Sequence, residues 1–291
     1  MRALVLAAFL TSCPGSIALS RAVRPATLAP RSAWALRPHV VLSEAAASPT
    51  PSPDSADTAA PPAAAAWSPL DAGDLAKYVF GTSAQVGLIA LALRCLDAAG
   101  AAALPAPCAA PVFAFLSLRS RVFSCLDNRR PDRASQGGAA TPQDTKRPRW
   151  TPPGIAFPII WSTITLLRTI SATMVWVACG KTFTCVPLLA LMAHLSMGDT
   201  WNSITNAERR LGVSFLAVFG VLSTVYWTVY QFYQVKAAAG LILLPSAVWI
   251  TIATVLTGTI WRINKPLQPL WPVKGDGKSA SMVLPFSSFK R

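Results

Sequence analysis

Apolar residues along this chain come in long blocks, and polar residues mark the breaks between them. Residues 154–179, 182–200, 211–235 and 238–261 are four such blocks, joined by short polar links. Each holds roughly the twenty apolar residues that an α-helix needs to cross about 30 Å of hydrocarbon. Short links make consecutive helices antiparallel neighbours. Two further candidates lie upstream. Residues 78–96 form one apolar run, and 98–118 form another that is interrupted by Pro105, Pro107 and Pro111. Proline is tolerated within membrane helices. The pattern predicts an all-α, polytopic membrane bundle of five or six helices, with six favoured.

Composition agrees. Only 13% of the 291 residues are charged and 53% are hydrophobic, whereas a soluble domain carries about 25% charged residues. That balance excludes a disordered chain and an ordinary soluble enzyme. Six Cys and two His form no CxxC and no metal-ligand spacing, so no metal site is expected. Lys and Arg outnumber Asp and Glu by 26 to 12, but unevenly. If the four blocks alternate, sixteen Lys and Arg (within 119–149, at 209–210 and within 262–291) fall on one side, against Lys181 and Lys236 on the other. The positive-inside rule then turns the C-terminus toward a cytosol-like compartment. The expected partner is the lipid bilayer, with no nucleic acid.

The N-terminal region reads as targeting. Residues 1–20 place Arg2 before an apolar run that ends in small residues, a secretory-signal pattern. Arg21, Arg24, Arg31 and Arg37 follow without an acid, the composition of a transit peptide. Together they suit a plastid reached through the secretory route, with another endomembrane or the mitochondrion as alternatives. Residues 42–68 are rich in Ala, Pro and Ser and cannot bury a core. The expected organisation is a targeting segment (1–43), a linker (44–74), an extra membrane helix (75–97), the membrane bundle (98–265) and a basic tail (266–291).

Polar and aromatic residues within the blocks are the candidates for chemistry. Trp150, Trp201, Trp261 and Trp271 stand near block ends, where Trp anchors at the membrane interface. Trp161 and Trp249 lie deeper, and a deep Trp either fills a core or stacks on a flat apolar ligand. Arg168 falls mid-block, where a charge is costly and points to function or pairing. His194 reads as a satisfied polar residue, a pore-lining group or an axial haem ligand. Asp199 is expected to pair near Arg209 and Arg210, and Glu208 to sit in a solvated turn. The stretch KRPRWTPP at 146–153 is stiffened by its prolines and forms a basic, aromatic approach to the bundle.

Pro148, Trp150, Pro152, Pro153, Pro158, Trp161 and Trp176 resemble, in order and spacing, the second helix of the translocator protein family. This is the TspO/MBR family of tryptophan-rich sensory proteins and peripheral benzodiazepine receptors. Tyr233, Gln234, Leu244, Pro245, Trp249, Leu256, Trp261 and Asn264 resemble the end of its fourth helix and its fifth. Residues 118–123, LRSRVF, resemble the end of its first. The chain also departs from the pattern. His194 and Gly198 stand where the third helix commonly has Gln and Asn, and Ser246 and Thr257 where the fifth has Tyr and Asn.

The resemblance implies a five-helix membrane core, often dimeric, with a ligand cavity closed by the loop between its first two helices. A sixth helix would be an N-terminal addition. It implies tetrapyrrole ligands (protoporphyrin IX or haem) or sterols, and no required cofactor. The pocket residues carried over are Trp161 and Trp249, with Trp150, Trp201, Pro153, Pro158 and Pro245 around them. Arg147, Arg149, Arg168 and His194 are the polar groups available to propionates. The expected role is a tetrapyrrole sensor, carrier or scavenger in organelle stress and pigment metabolism. Sterol or lipid transport through the same cavity is the alternative. No acid–base constellation supports turnover, so enzymatic activity is limited to light-dependent porphyrin breakdown.

Overall fold

The computed structural model describes residues 69–128 and 145–286. The expected targeting segment and most of the expected linker lie outside the described residues, as do 129–144 and 287–291. Six α-helices follow one another: α1 (Ala72–Ala98), α2 (Ala106–Arg119), α3 (Ala156–Ala178), α4 (Val186–Asn202), α5 (Leu211–Val235) and α6 (Ala237–Ile263). Among the described residues, β-structure is limited to two isolated antiparallel bridges.

Local sequence explains where the helices begin. Asp71 caps α1, its carboxylate accepting from the Asp74 N–H at 3.1 Å. The buried residues of α1 are Asp74, Tyr78, Gly81, Gln85, Ile89 and Leu93. They recur every three or four positions, so they form one stripe, and that stripe packs on α4. Pro105 caps α2 and Pro107 lies in its first turn, so these prolines start the helix rather than interrupt it. The helix is therefore shorter than the apolar block at 98–118, and the 3₁₀ turn Ser120–Phe123 extends it. Pro187 likewise sets the start of α4 at Val186, not at 182 as the hydrophobic block suggested. Beyond Asn202, α4 continues as the π-helical turn Ser203–Ala207.

The helices close into a ring. α2 packs on α3, α3 on α6, α6 on α5, α5 on α4 and α4 on α1. The hairpin between α1 and α2 completes the circuit. α1, α3, α5 and α6 are each long and apolar enough to cross a membrane. α4 is shorter, at 17 residues, and its core includes Leu188, Leu191, Met192, His194 and Ser196. Outward faces are apolar: Ile159 and Leu166 on α3, Leu216 and Phe219 on α5, and Leu241, Val248 and Val255 on α6 are exposed. Threonines on these helices donate to the carbonyl four residues back, as Thr165 does to Trp161 O at 2.9 Å. Those hydroxyls are satisfied by their own helix rather than by water. The protein is an integral membrane protein.

The two ends of the bundle are finished differently. At the basic end, residues 264–286 fold back across the helix termini. Asp71 N donates to Pro272 O at 2.8 Å, Asp127 N to Ser281 O at 2.9 Å and Val283 N to Cys125 O at 2.8 Å. The strap passes so close to α5 that a Cβ on Gly212 would lie 2.0 Å from Pro269 O. At the opposite end, Phe183 wedges between Phe113 and Trp176, with ring centroids 5.6 and 5.2 Å away. The Asp97 carboxylate there accepts from the backbone N–H groups of Phe183 and Thr184.

Candidate functional site

Three of the candidate tryptophans meet. Trp161 from α3, Trp201 from α4 and Trp249 from α6 all pack against a buried cluster of Val221, Val225, Ala247 and Ile250. Met197 joins them, and Phe157 meets Trp249 edge-on at 6.1 Å. Trp201 Nε1 donates to Ser214 Oγ at 3.0 Å. Trp249 Nε1 is buried and has no hydrogen-bond partner within the protein. The site is thus an aromatic, apolar cluster among α3, α4, α5 and α6 with one indole N–H without a partner.

A polar chain borders it. Arg168, midway along α3, reaches His194 Nε2 with Nη2 at 2.8 Å. Since guanidinium only donates, Nε2 is the acceptor and the proton sits on Nδ1. Nδ1 faces Thr224 Oγ1 at 3.3 Å, and Thr224 Oγ1 donates to Gly220 O at 2.8 Å. Each atom in this relay has one consistent role. Both nitrogens of His194 are engaged, so axial ligation would require breaking the relay. Thr224 falls between Val221 and Val225 on α5, which places the relay against the aromatic cluster. Arg168 Nε, Ser196 Oγ and Ser246 Oγ are buried without partners.

The remaining candidates lie elsewhere. Trp150 is 49% exposed, and Arg147, Arg149, Pro153, Pro158 and Pro245 are also exposed. The stretch holding Arg147, Arg149 and Trp150 is tied to the end of α6. Lys146 N donates to Asn264 Oδ1 and Asn264 Nδ2 to Lys146 O, both at 2.9 Å. Asn264, noted only as a match to the family pattern, is therefore a hinge post for this approach segment.

Two expectations about charge are corrected. Asp199 does not pair with Arg210. It accepts from Gln85 Nε2 at 2.8 Å and Ser120 Oγ at 2.6 Å, joining α1, α4 and the end of α2. Glu208 is not in a solvated turn, because its side chain is 6% exposed. It accepts from Tyr78 and from Arg210. Arg210 itself bonds Asp74 at 2.7 Å, Asp276 at 3.1 Å, Tyr78 OH at 2.8 Å and Lys278 O at 2.7 Å. Desolvation lowers the affinity of Arg210 for its proton, yet these partners together raise it. Burial pushes the Glu208 carboxyl above its ordinary value despite its two donors.

Two cavities lie outside the tryptophan cluster. One, about 370 Å³, is lined by Ala106, Thr169, Thr173 and Lys236 between α2 and α3. The other, about 770 Å³, is lined by Tyr78, Thr82, Met197, Thr200, Gly220 and Trp271 among others. Met197 faces both this second cavity and the tryptophan cluster, and is the wall between them.

The TspO/MBR family profile matches residues 131–262. The protein CrtK of Rhodobacter capsulatus is 31% identical over 126 residues, covering 43% of this chain and 79% of CrtK. The chain belongs to the TspO/MBR family. Another similar protein is the tryptophan-rich sensory protein of Cereibacter sphaeroides, 26% identical over 40% of this chain and 73% of its own length. The human translocator protein is 27% identical over 41% of this chain and 72% of its own. In this TspO/MBR chain the matched region contains α3 to α6, the four helices around the tryptophan cluster. α1 and the strap at 264–286 lie outside it, and they bind each other. Sequence reasoning noted Ser246 only as a departure from the family pattern, and missed Met197 and Thr224 as parts of the site. Met197 alone left a signal, three residues from His194 on the same face of α4.

Proposed function

We propose that this protein binds a tetrapyrrole such as protoporphyrin IX or haem between α3, α4, α5 and α6, as a sensor, carrier or scavenger in organelle stress and pigment handling. The carrying observation is the convergence of Trp161, Trp201 and Trp249 on one apolar cluster with Trp249 Nε1 unpaired. Indole faces stack on a flat apolar macrocycle, and a buried donor without an acceptor favours a ligand that supplies one. The propionates would point to the basic end, where Arg147 and Arg149 are exposed and the carboxylates keep their hydration. The names of the relatives, sensory and translocator, fit such a role. The same reading puts the basic end on the cytosol-like side of a plastid membrane, supported by the Lys and Arg asymmetry and the leader composition.

The test is a titration of the protein in detergent with protoporphyrin IX, read by intrinsic Trp fluorescence, beside a Trp161→Phe/Trp249→Phe variant. Saturable quenching that is lost in the variant is expected. Unsaturable quenching, or equal quenching in both proteins, would overturn the assignment. Displacement of the porphyrin by a sterol would identify the cluster as a shared cavity.

A further inference from the structure

The smaller cavity, about 370 Å³, is a cleft on the outer side of α3 toward the end opposite the strap. Its α3 wall is the stripe Thr169, Thr173 and Val177, one residue per turn. From Thr169 to Val177 is about 12 Å along the helix axis. A single leaflet contributes about 15 Å of hydrocarbon, so the cleft follows α3 through most of one leaflet. The facing wall on α2 is Ala106 and Ala110, whose small side chains leave the volume unfilled. Ile170 and Val177 are exposed along the lip, so the cleft opens sideways into lipid. The threonine hydroxyls donate within their own helix, Thr169 to Thr165 O at 2.9 Å and Thr173 to Thr169 O at 2.8 Å. These walls ask no hydrogen bond of an occupant and suit an alkyl chain.

Lys236 stands at the mouth, where α5 turns into α6. Its backbone is held from both sides: its N–H donates to Phe232 O and its carbonyl accepts from Ala239 N, both at 2.8 Å. Its side chain is exposed. Among the described residues, Lys236 Nζ has no hydrogen bond or ion pair, and the first turn of α6 carries no acid. Lys181, the other lysine at this end, is already engaged. Its Nζ donates to Leu104 O at 3.1 Å and lies over the Trp176 ring at 5.9 Å. We propose that the cleft holds one anionic phospholipid of the leaflet at this end, with an acyl chain between α2 and α3 and its phosphate at Lys236. The lipid enters sideways from the bilayer, and its second chain stays in bulk lipid. The ammonium meets the phosphate as a point charge at the hydrated interface. The bound chain completes the packing of α2, only 14 residues long, against α3. The proposal is independent of any ligand at the tryptophan cluster.

Native mass spectrometry tests this. The full chain in a neutral detergent is offered equal amounts of dioleoyl phosphatidylglycerol and dioleoyl phosphatidylcholine. One retained lipid per chain is expected, with phosphatidylglycerol preferred about fivefold, the weight of one basic residue at an anionic surface. Lys236→Gln should level that preference, whereas Lys265→Gln, at the basic end, should keep it. Ala110→Leu narrows the cleft and should reduce retention of both lipids. Because Lys236 is exposed, its variant decides the matter even where Ala110→Leu does not fold. No retained lipid, equal retention of the two by the native chain, an unchanged preference in Lys236→Gln or unchanged retention by folded Ala110→Leu would overturn the proposal. So would a lipid-free dimer as the main species, or replacement of the phosphatidylglycerol by added cholesterol.

Discussion

Two arginines are buried in this bundle. Arg210, at the basic end, is held by Asp74, Asp276, Glu208 and Tyr78. Arg168, midway along α3, has one side-chain hydrogen bond among the described residues, to His194, and feels the charge of Asp199 without bonding it. A desolvated guanidinium is costly to bury and is retained where its donors are used. Arg210 uses its donors to join three segments distant in sequence: the start of α1, the α4–α5 link and the strap. Arg168 leaves Nε unpaired. The first arginine is built into the architecture, and the second is left partly available beside the aromatic cluster.

Removing Arg210 should have the largest effect. Arg210→Met leaves the buried Glu208 without its cation, Asp74 with Lys77 alone and the partly exposed Asp276 unpaired from Arg210, and is expected to cost about 3–5 kcal/mol in reversible unfolding from mixed micelles. Gly212→Ala attacks the same end through the backbone, driving a Cβ onto Pro269 O. It should cost about 1–3 kcal/mol and expose Lys274 and Lys278 to trypsin before any helix is cut. Arg168→Met should stay within about 1 kcal/mol of the native protein in the same unfolding assay. A loss as large as that of Arg210→Met would erase the contrast. The smallest effect is in pH dependence. The folded Glu208 carboxyl titrates above its ordinary 4.5, so the folded state holds the extra proton. Its contribution to stability is present below 4.5 and is lost as pH rises through the raised value. Glu208→Gln should flatten that part of the stability–pH curve, and an unchanged slope would mean that Glu208 does not titrate there.

The sequence announced the helices because membrane spans are written as unbroken apolar blocks, and it announced the tryptophans because their spacing carries the family pattern. Helix starts were less clear. Pro105, Pro107 and Pro187 mark first turns, which a block-averaged reading takes as interruptions or runs past. The strap was illegible for a different reason. Val273 and Met282 pair through backbone groups with Leu70 and Leu126, and such pairing leaves no periodic trace. Asp74 and Arg210 are 136 positions apart, so neither announces the other. Glu208 looked like turn chemistry because its local neighbours are charged; the distant Tyr78 changes its role. Of the candidate site, the sequence located three ring systems but not the Met197 wall or the Thr224 relay, which depend on how α4 and α5 face each other.

The number of helices has a consequence for how the chain is made. With six helices, the start of α1 and the strap lie at the same end of the bundle. The far end is crossed only by the turns 99–105 and 179–185 and the single residue Lys236 between α5 and α6. In the orientation proposed above, with the basic end on the cytosol-like side, an insertion machinery receives three hairpins, α1–α2, α3–α4 and α5–α6, each with a tight apex to push through. The strap can close over the basic end only after the last hairpin is in place, so its contact with α1 would report the completion of assembly.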